Sequence, residues 1–403
     1  MEGESMSEWK EVRLGDITDI IGDGIHGTPV YDENGEYYFI NGSNLYKGKI
    51  IINNDTKKIG YEEYLKHKKV LNKNTILLSI NGTIGNIALY NGEKCILGKS
   101  ACYININHLF DKFFIFYILS SHKFLKEITF KANGTTIKNV SLKQIRDYTF
   151  YIPSSYEKQK EIAGILSSLD AKIETNNKLN EKLEEMAQAI FRSWFVDFEP
   201  FKDKPFHETE LGMIPEGWNV CCLGDITKQT KEKVGSNRFL KVLSPINTGE
   251  LTLSEDFFTK QVYSKDISKY ILVRKNNFAY NPARVNIGSL GRNEYDFDGC
   301  VSPVYVVFEV IKEYENFFDL FRRQKTFINS VISLAIGGVR QSLSYNDFSY
   351  IKLVVPPKNV IEKFNDIYSE LDKLIKTKKI ENERLASLRD TLLPRLMSGE
   401  LIV

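Results

Sequence analysis

The chain is poor in the residues that build disulfide frameworks and metal sites. Its 403 residues include only five cysteines and five histidines. The cysteines form no Cys-x-x-Cys pair, and their odd number suits a reducing compartment. No histidine has the spacing of a metal-ligand pair. We therefore expect no disulfide scaffold and no metal site on this chain, and a cytoplasmic location.

Long hydrophobic runs and a charge excess are missing as well. The longest apolar stretches are short and interrupted by polar residues, which argues against a membrane span. Residues 1–5 have neither the basic start nor the apolar stretch of a secretory signal. The formal net charge of +2 is too small to indicate nucleic-acid binding by itself. With 42% hydrophobic and 26% charged residues, the composition is that of a soluble globular protein with room for two or three domains.

What the chain does contain is an internal repeat. Residues 9–18 (WKEVRLGDIT) return as residues 218–227 (WNVCCLGDIT). Each copy opens a globular stretch that ends in a proline, Pro153 or Pro356, followed by a long helical pattern. The order is globule, helix, globule, helix. Such a duplication predicts two similar surfaces, for which a bipartite target is the natural ligand.

Both globules are predicted to be mixed α/β (α+β). β-rich runs such as residues 75–80 are separated by Asn-Gly turns, and a helical stretch covers residues 113–130. Residues 301–308 are predicted to form one strand, with an edge or bulge at Pro303. Residues 92–100 look like a phosphate-binding loop, but five residues instead of four separate the glycines, so we predict a hairpin.

The helical stretches carry a coiled-coil pattern. In residues 155–194, apolar residues recur at alternating steps of three and four. The series is interrupted between Ile173 and Leu183, where the polar Asn176 and Asn180 take the two missing positions. The pattern returns after Pro356, where Asn382 takes the position that matches Asn180. A buried seam asparagine costs stability but sets register and partner number, so Asn180 and Asn382 are the predicted register residues. Each helix has the other as a partner, and we expect the two to pair antiparallel.

These patterns divide the chain into five segments. Prolines and the loss of helical periodicity mark a linker between the first helix and the second globule. The segments are a first recognition globule at 1–153, a first spacer helix at 154–195, a linker at 196–216, a second globule at 217–355, and a second spacer helix with a tail at 356–403.

Polar and basic turns recur in both globules and are candidates for DNA contact. Glycine lets a backbone approach a phosphate closely, and Arg, Lys, Asn, Gln and Thr supply donors for base edges. The candidates are Asn41, Ser43, Asn44, Thr83, Asn86, Thr135, Thr136 and Lys138 in the first globule, and Arg284, Asn286, Arg340 and Gln341 in the second. For any single residue a solvated surface turn is the alternative. The recurrence of the turns in both copies is what favours a common role.

Several short motifs occur in a fixed order, most of them twice. The repeated motifs are the Trp-x4-Leu-Gly-Asp-Ile openings, the closing segments at 152–162 and 355–361, and the helix-ending segments at 185–198 and 388–401. The Gly-Thr-Ile-Gly turn at 82–85 occurs once, and its counterpart at 285–288 reads Val-Asn-Ile-Gly. In this order they are similar to the specificity subunit of a type I restriction-modification system. The resemblance covers the chain from Trp9 to its last residues.

The resemblance implies a non-catalytic DNA reader with no catalytic residue and no cofactor of its own. Each globule would be a target-recognition domain that reads one half of an interrupted sequence, and the helix pair would set the gap. Two modification subunits, which use S-adenosylmethionine to methylate adenine N6, would dock on it, together with restriction subunits that use ATP and Mg. Two alternatives stay open: a specificity subunit of a related enzyme that cuts on both sides of its site, and a two-headed protein scaffold that never contacts DNA.

Overall fold

A computed structural model describes residues 9–132, 138–236, 240–257, 263–335 and 342–401. The chain divides into two compact units. The first comprises Met1–Asn176 and Lys379–Val403, and the second comprises Asn177–Lys378. Each unit contains one globule and a part of each of two long helices.

The first globule is built from short strands and short helices. The strands are β1 (Trp9–Arg13), β2 (Thr18–Asp23), β3 (Tyr37–Ile40), β4 (Leu45–Tyr46), β5 (Lys49–Ile50), β6 (Lys58–Ile59), β7 (Thr75–Ser79), β8 (Ile87–Leu89), β9 (Cys95–Leu97), β10 (Ala101–Ile106) and β11 (Thr149–Pro153). The helices are α1 (Tyr61–His67), α2 (Lys112–Ser120), α3 (His122–Lys131) and α4 (Leu142–Arg146). Two 3₁₀ turns cover Leu14–Ile17 and Gly42–Asn44.

Two sheets form the frame of this globule. Strands β2, β10, β7 and β8 lie in that order in an antiparallel sheet, and β6, β3 and β9 form a second sheet in which β3 and β9 are parallel. All five residues of β7 are buried, because successive side chains point to opposite faces that are both covered. Ile76 and Leu78 belong to the large core with α2, whereas Leu77 packs with Ile40 and Leu97 under the second sheet.

The rest of the chain contains the long helices and the second globule. The helices are α5 (Tyr156–Phe195), α6 (Leu223–Ile226), α7 (Ser254–Phe257), α8 (Glu315–Phe321), α9 (Lys325–Ala335), α10 (Tyr345–Ser349) and α11 (Lys358–Met397). The strands are β12 (Phe206–Thr209), β13 (Gly212–Pro215), β14 (Asn219–Cys222), β15 (Thr227–Thr230), β16 (Lys241–Pro245), β17 (Leu251–Leu253), β18 (Ile271–Val273), β19 (Phe278–Tyr280), β20 (Leu290–Arg292), β21 (Gly299–Val301), β22 (Val306–Val310) and β23 (Lys352–Val355).

The second globule repeats the frame of the first. Strands β15, β22, β19 and β20 lie in the order of β2, β10, β7 and β8, and β14 pairs with β23 as β1 pairs with β11. Strands β16 and β21 are parallel, as β3 and β9 are. The central strand again faces two cores: Phe278 and Tyr280 lie in the larger one and Ala279 in the smaller. The mixed α/β prediction with two long helices is therefore confirmed.

Specific contacts join the two long helices within each unit. In the first unit, the Asp170 carboxylate of α5 accepts hydrogen bonds from the Tyr117 hydroxyl of α2 and from Nη1 of Arg389 on α11, each at 2.7 Å. In the second unit, the ring centroids of Phe195 on α5 and Phe364 on α11 are 4.9 Å apart. The N-terminal part of one helix thus contacts the C-terminal part of the other.

The predicted register asparagines have different surroundings. Asn382 Oδ1 accepts a hydrogen bond of 2.9 Å from Nδ2 of Asn176, which is 1% exposed. Asn180 is also buried, but its Oδ1 accepts no hydrogen bond from the described part of the chain. Asn382 is therefore hydrogen-bonded to Asn176, which lies one turn before Asn180 on α5.

The helical stretch predicted at 113–130 is confirmed as α2 and α3, which are separated at Ser121, whose side chain caps α3 by accepting from the Phe124 amide. Two other local predictions are wrong, both for non-local reasons. Residues 301–308 form the end of β21 and the start of β22, which pair in different sheets on either side of Pro303. Residues 92–100 are not a hairpin, because β9 pairs with β3 while β10 pairs with β2 and β7.

The segment between α5 and the second globule is ordered. A 3₁₀ turn at Glu199–Phe201 precedes the hairpin of β12 and β13. Among the described residues, no helix has the length and apolar character needed to cross a membrane.

Candidate nucleic-acid interface

Two connections meet at one edge of the first globule. Because β3 and β9 are parallel, the turn after β3 and the connection after β9 leave the sheet at the same edge. The Gly42 amide donates to Ser100 Oγ at 2.8 Å, and this hydroxyl donates to Asn41 Oδ1 at 3.1 Å. A Cβ on Gly98 would lie 2.1 Å from Asn41 Oδ1, so only glycine admits this approach.

The turn between β7 and β8 joins the same place. A Cβ on Gly42 would lie only 2.1 Å from Ser79 Oγ at the end of β7. Ser79 Oγ is 3.2 Å from Thr83 Oγ1, inside the turn. The turn needs glycine at Gly82 and Gly85, whose φ angles are +74° and +93°. The turns after β3, β7 and β9 therefore form one contiguous surface.

The segment after α3 completes this surface. The Val140 amide donates to the Ile80 carbonyl at 2.9 Å, and Asn139 forms a β-bridge with Asn81. This places the exposed Lys138 beside the β7–β8 turn. We call residues 41–44, 79–86, 98–100 and 138–140 the first loop cluster.

The predicted residues of the first globule divide into two groups. Asn41 and Asn44 hold the turn itself: the Asn41 amide donates to Asn44 Oδ1 at 3.0 Å, and Asn44 Nδ2 donates to the Ile51 carbonyl at 3.1 Å. Ser43, Thr83 and Lys138 are exposed, and Asn86 is half-buried. Thr135 and Thr136 lie outside the described residues. The structure thus brings Asn41, Ser43, Asn44, Thr83, Asn86 and Lys138 together, although they are far apart in the sequence.

The second globule has a corresponding loop cluster. The turn after β16 meets the turn between β19 and β20, because a Cβ on Gly288 would lie 2.7 Å from the Asn247 carbonyl oxygen. Ser289 Oγ donates to the Pro245 carbonyl at 2.7 Å. The Leu343 amide donates to the Pro282 carbonyl at 3.0 Å, as the Val140 amide does in the first globule. We call residues 245–250, 281–289 and 342–343 the second loop cluster.

Arg284 lies on the outer side of this second cluster. Its side chain is exposed, and its amide donates to the Asn281 carbonyl at 3.0 Å, which fixes the start of the 3₁₀ turn Val285–Ile287. Burial raises the pKa of the Tyr305 phenol, while the nearby Arg284 charge opposes that shift. Asn286 is half-buried in the same turn. Arg340 and Gln341 lie outside the described residues.

Sequence reasoning missed several residues of these surfaces. Ser79, Ser100 and Asn139 tie the first cluster together, and Asn247 belongs to the second. Their position in the sequence could have identified them, because each lies at a strand end or beside a turn. Their convergence depends on the parallel strand pairs, which local patterns do not reveal.

Two kinds of reactive group bear on catalysis, metal-binding clusters and thiols. The described residues contain no group of three or more His, Cys, Asp or Glu side chains that could hold a metal ion. Burial raises the pKa of the Cys95 thiol to about 12 and that of Cys300 to about 11, so both are protonated at neutral pH. Hydroxyl, amide and basic groups on glycine-rich turns are suited instead to binding.

Comparison with known proteins shows which family the chain resembles. A family model for the type I restriction modification DNA specificity domain matches residues 6–185. The chain is 26% identical to the type I restriction enzyme MjaIX specificity subunit of Methanocaldococcus jannaschii, over 100% of this chain and 95% of that protein. It is 25% identical to the HindI specificity subunit of Haemophilus influenzae, over 98% of this chain and 100% of that protein. Residues 6–185 thus match the type I restriction modification DNA specificity domain, and the chain is similar over nearly its whole length to type I specificity subunits.

These similarities confirm the resemblance that the repeated motifs indicated. The fold agrees with it as well. A crystal structure of the type I restriction-modification system S subunit from M. genitalium covers 96% of each chain with a TM-score of 0.53 and 19% sequence identity. This likeness concerns the fold, and the two loop clusters are the candidate interface on it.

Proposed function

We propose that this specificity subunit reads a bipartite DNA target, with one loop cluster for each half-site. The observation that carries the proposal is the duplication of the cluster on a duplicated frame. In both globules, the turns after equivalent strands meet at one edge of the sheet. In each globule, one backbone hydrogen bond joins the segment after α3 or α9 to these turns. A shared frame with different side chains is what two readers of different sequences require.

The side chains on the clusters suit the two kinds of DNA contact. The exposed Lys138 is placed to attract a phosphate, and such contacts position a protein without reading sequence. Arg284 offers a fork of donors that matches the O6 and N7 acceptors of guanine in the major groove. Ser43 and Thr83 supply hydroxyls that both donate and accept. The turns are held or extended by Asn41, Asn44, Asn86 and Asn286. The proposed set of DNA-contacting residues also includes Thr135, Thr136, Arg340 and Gln341.

The long helices have a separate proposed role. We propose that α5 and α11 pair as an antiparallel coiled coil that sets the distance between the half-sites. The hydrogen bonds of Arg389 with Asp170 and of Asn176 with Asn382 support this arrangement, as does the Phe195–Phe364 contact. The recognition domains would then be residues 1–153 and 217–355, joined through the helices at 154–195 and 356–403 and the linker at 196–216.

In this proposal, partner subunits catalyse the reactions on DNA. Two modification subunits dock on the chain and methylate adenine N6 with S-adenosylmethionine, and restriction subunits supply ATP- and Mg-dependent cleavage. The subunit itself contributes position and sequence choice.

A domain exchange tests the proposal. Residues 8–152 are replaced by those of a relative, the complex is expressed with its modification subunits, and the methylated adenine motif is determined by single-molecule sequencing. We expect one half-site to change and the other to stay. If both halves change together, or neither does, the chain does not contain two independent readers.

Arg284→Ala provides a finer test within the second cluster. Loss of a bidentate guanine contact would cost about 1–3 kcal/mol and relax the second half-site only. Arg274→Ala is the matched control, because Arg274 is exposed on the same globule but forms an ion pair with Glu232. Equal effects of the two substitutions would remove Arg284 from the proposed interface.

A further inference from the structure

Two exposed apolar side chains lie at the edge of the second globule that carries its loop cluster. Ile287 is 57% exposed and Val304 is 70% exposed. Ile287 ends the 3₁₀ turn Val285–Ile287 of the second loop cluster, and Val304 lies in the turn between β21 and β22. Single exposed apolar side chains are ordinary on protein surfaces. These two differ from most in their position beside Arg284.

The fold brings both side chains to the segment that contains Arg284. The Ile287 amide donates to the Arg284 carbonyl at 3.1 Å, so the two residues lie one 3₁₀ turn apart. Val306, the first residue of β22, pairs with Tyr280, the last residue of β19. The chain just before β22, which includes Val304, therefore runs beside the chain just after β19, which leads to Arg284. Arg284 is thus accompanied by apolar groups from two separate turns.

Ile287 is exposed where the first globule buries its counterpart. Residues 285–288 (VNIG) correspond to residues 82–85 (GTIG), and Ile84 of the first turn packs against the large core with α2. In the second turn Val285 fills that role, since it is 5% exposed and belongs to the larger core of its unit. Core packing therefore does not require an apolar side chain at Ile287.

The turn that contains Val304 also differs from its counterpart. The connection between β9 and β10 exposes Lys99, whereas the connection between β21 and β22 exposes Pro303 and Val304. A lysine is suited to a phosphate, but an aliphatic side chain is stabilised only by contact with another apolar group. Two reading surfaces on one frame thus differ in chemical character at the same two turns.

We propose that Ile287 and Val304 recognise thymine in the second half-site through contact with its C5 methyl group. This role rests on the proposed function, in which the second loop cluster faces the major groove of DNA. Base-pair edges in the major groove present hydrogen-bond donors and acceptors, and their one apolar group is the methyl of thymine. Thymine is therefore the base that an aliphatic side chain on this surface selects, since the contact removes apolar area from water.

The geometry of the turn also indicates where the thymine lies. Three residues of a 3₁₀ turn advance by about 6 Å, and two base pairs of DNA rise by about 7 Å. We therefore expect the selected thymine within about two base pairs of the guanine that Arg284 contacts.

Replacing single thymines by deoxyuridine tests this role, because deoxyuridine pairs as thymine does and lacks only the methyl group. The complex of the full chain with its modification subunits is titrated, by fluorescence anisotropy, against duplexes that carry the target found by methylation sequencing. One thymine of the second half-site is replaced at a time. Loss of the contacted methyl group should weaken binding about fourfold at one or more of these positions. The double variant Ile287→Ala and Val304→Ala should bind the thymine and deoxyuridine duplexes equally.

Ile311→Ala is the matched control. Ile311 is 47% exposed on the same globule but follows the opposite end of β22. This variant should keep the natural preference for thymine. Both variants should still discriminate against a scrambled first half-site, which shows that they are folded.

Equal binding of the thymine and deoxyuridine duplexes by the natural chain would overturn the proposal, as would a second half-site without thymine on either strand. A preference for thymine that survives in the double variant would also overturn it, because other groups would then contact the methyl. These outcomes leave the two-reader function intact so long as scrambling the second half-site weakens binding. If scrambling either half-site has no effect, the proposed function itself is wrong and the thymine contact is wrong with it.

Discussion

Replacing Gly42 by alanine would place a methyl group inside the first loop cluster. The added Cβ would lie 2.1 Å from Ser79 Oγ, 2.8 Å from Ser79 Cβ and 3.0 Å from the Ser100 carbonyl oxygen. Favourable contacts between heavy atoms begin at about 3.5 Å. Ser79 is fully buried on the central strand β7, and rotating its hydroxyl does not relieve the clash because its Cβ is also too close. The turn at residues 41–44 must therefore move away from the β7–β8 turn.

The cost follows from this geometry. Overpacking a tight site typically costs about 1–3 kcal/mol. For a unit of this size, each kcal/mol lowers the melting temperature by about 2–4 °C. Because Gly42 links the turns after β3, β7 and β9, we also expect weaker recognition of the first half-site and unchanged recognition of the second. Thermal melting and mobility shifts on duplexes with one half-site scrambled at a time measure the two effects.

Gly27→Ala is the matched control for this substitution. A Cβ built on Gly27 has no heavy atom within 4 Å, so the variant should melt and bind like the natural protein. Adding Ser79→Gly to Gly42→Ala should recover part of the stability, because it removes both atoms of the closest clash. If Gly42→Ala behaves like Gly27→Ala, the close packing of the turns is wrong. If it weakens both half-sites equally, the first cluster does not read one half alone.

Three further predictions concern the frame and the helices. Burial raises the pKa of the Asp319 carboxyl, but Arg322 and Arg323 outweigh that effect and hold the pKa at about 2. The stabilisation that this carboxylate contributes is present above about pH 4 and is lost as the pH falls towards 2. In urea unfolding, the Asp319→Asn variant should not show this pH dependence. Its free energy of unfolding at neutral pH should be lower by about 3–5 kcal/mol. Asn382→Leu should destabilise the chain by about 1–3 kcal/mol, because it leaves the buried Asn176 amide unpaired. In a double-mutant cycle, adding Asn176→Leu should restore stability. Additive losses of stability would refute the pairing. Insertion of four residues in both α5 and α11 adds about 6 Å to each helix and should lengthen the gap in the methylated target, whereas an unchanged gap would exclude the spacing role.

The long helices were predictable because their cause is local. Apolar residues at steps of three and four produce one buried stripe, and this periodicity is visible in the residues themselves. The predicted stretch of 155–194 closely matches α5 at Tyr156–Phe195. The break at Ser121 was harder to foresee, since the residues on both sides favour a helix and the serine acts as a cap only in the folded arrangement.

The candidate site was predictable only residue by residue. Glycine and asparagine mark the turns at 41–44 and 82–86 through their backbone preferences. The contact between those turns depends on the parallel pairing of β3 with β9, whose partners are separated by a long stretch of chain. Likewise, the strand predicted through Pro303 is divided because its two ends pair in different sheets. Pairing of distant strands is a property of the whole fold and leaves no local pattern.

The amino-acid sequence by itself determined the duplication, the α/β class, the long helices and the family resemblance, because repeats, periodicity and short motifs are visible in the residues themselves. Only the tertiary structure decided which turns form a common surface and that Asn382 meets Asn176. These outcomes depend on contacts between residues far apart in the chain, and such contacts are decided by the packing of all elements together.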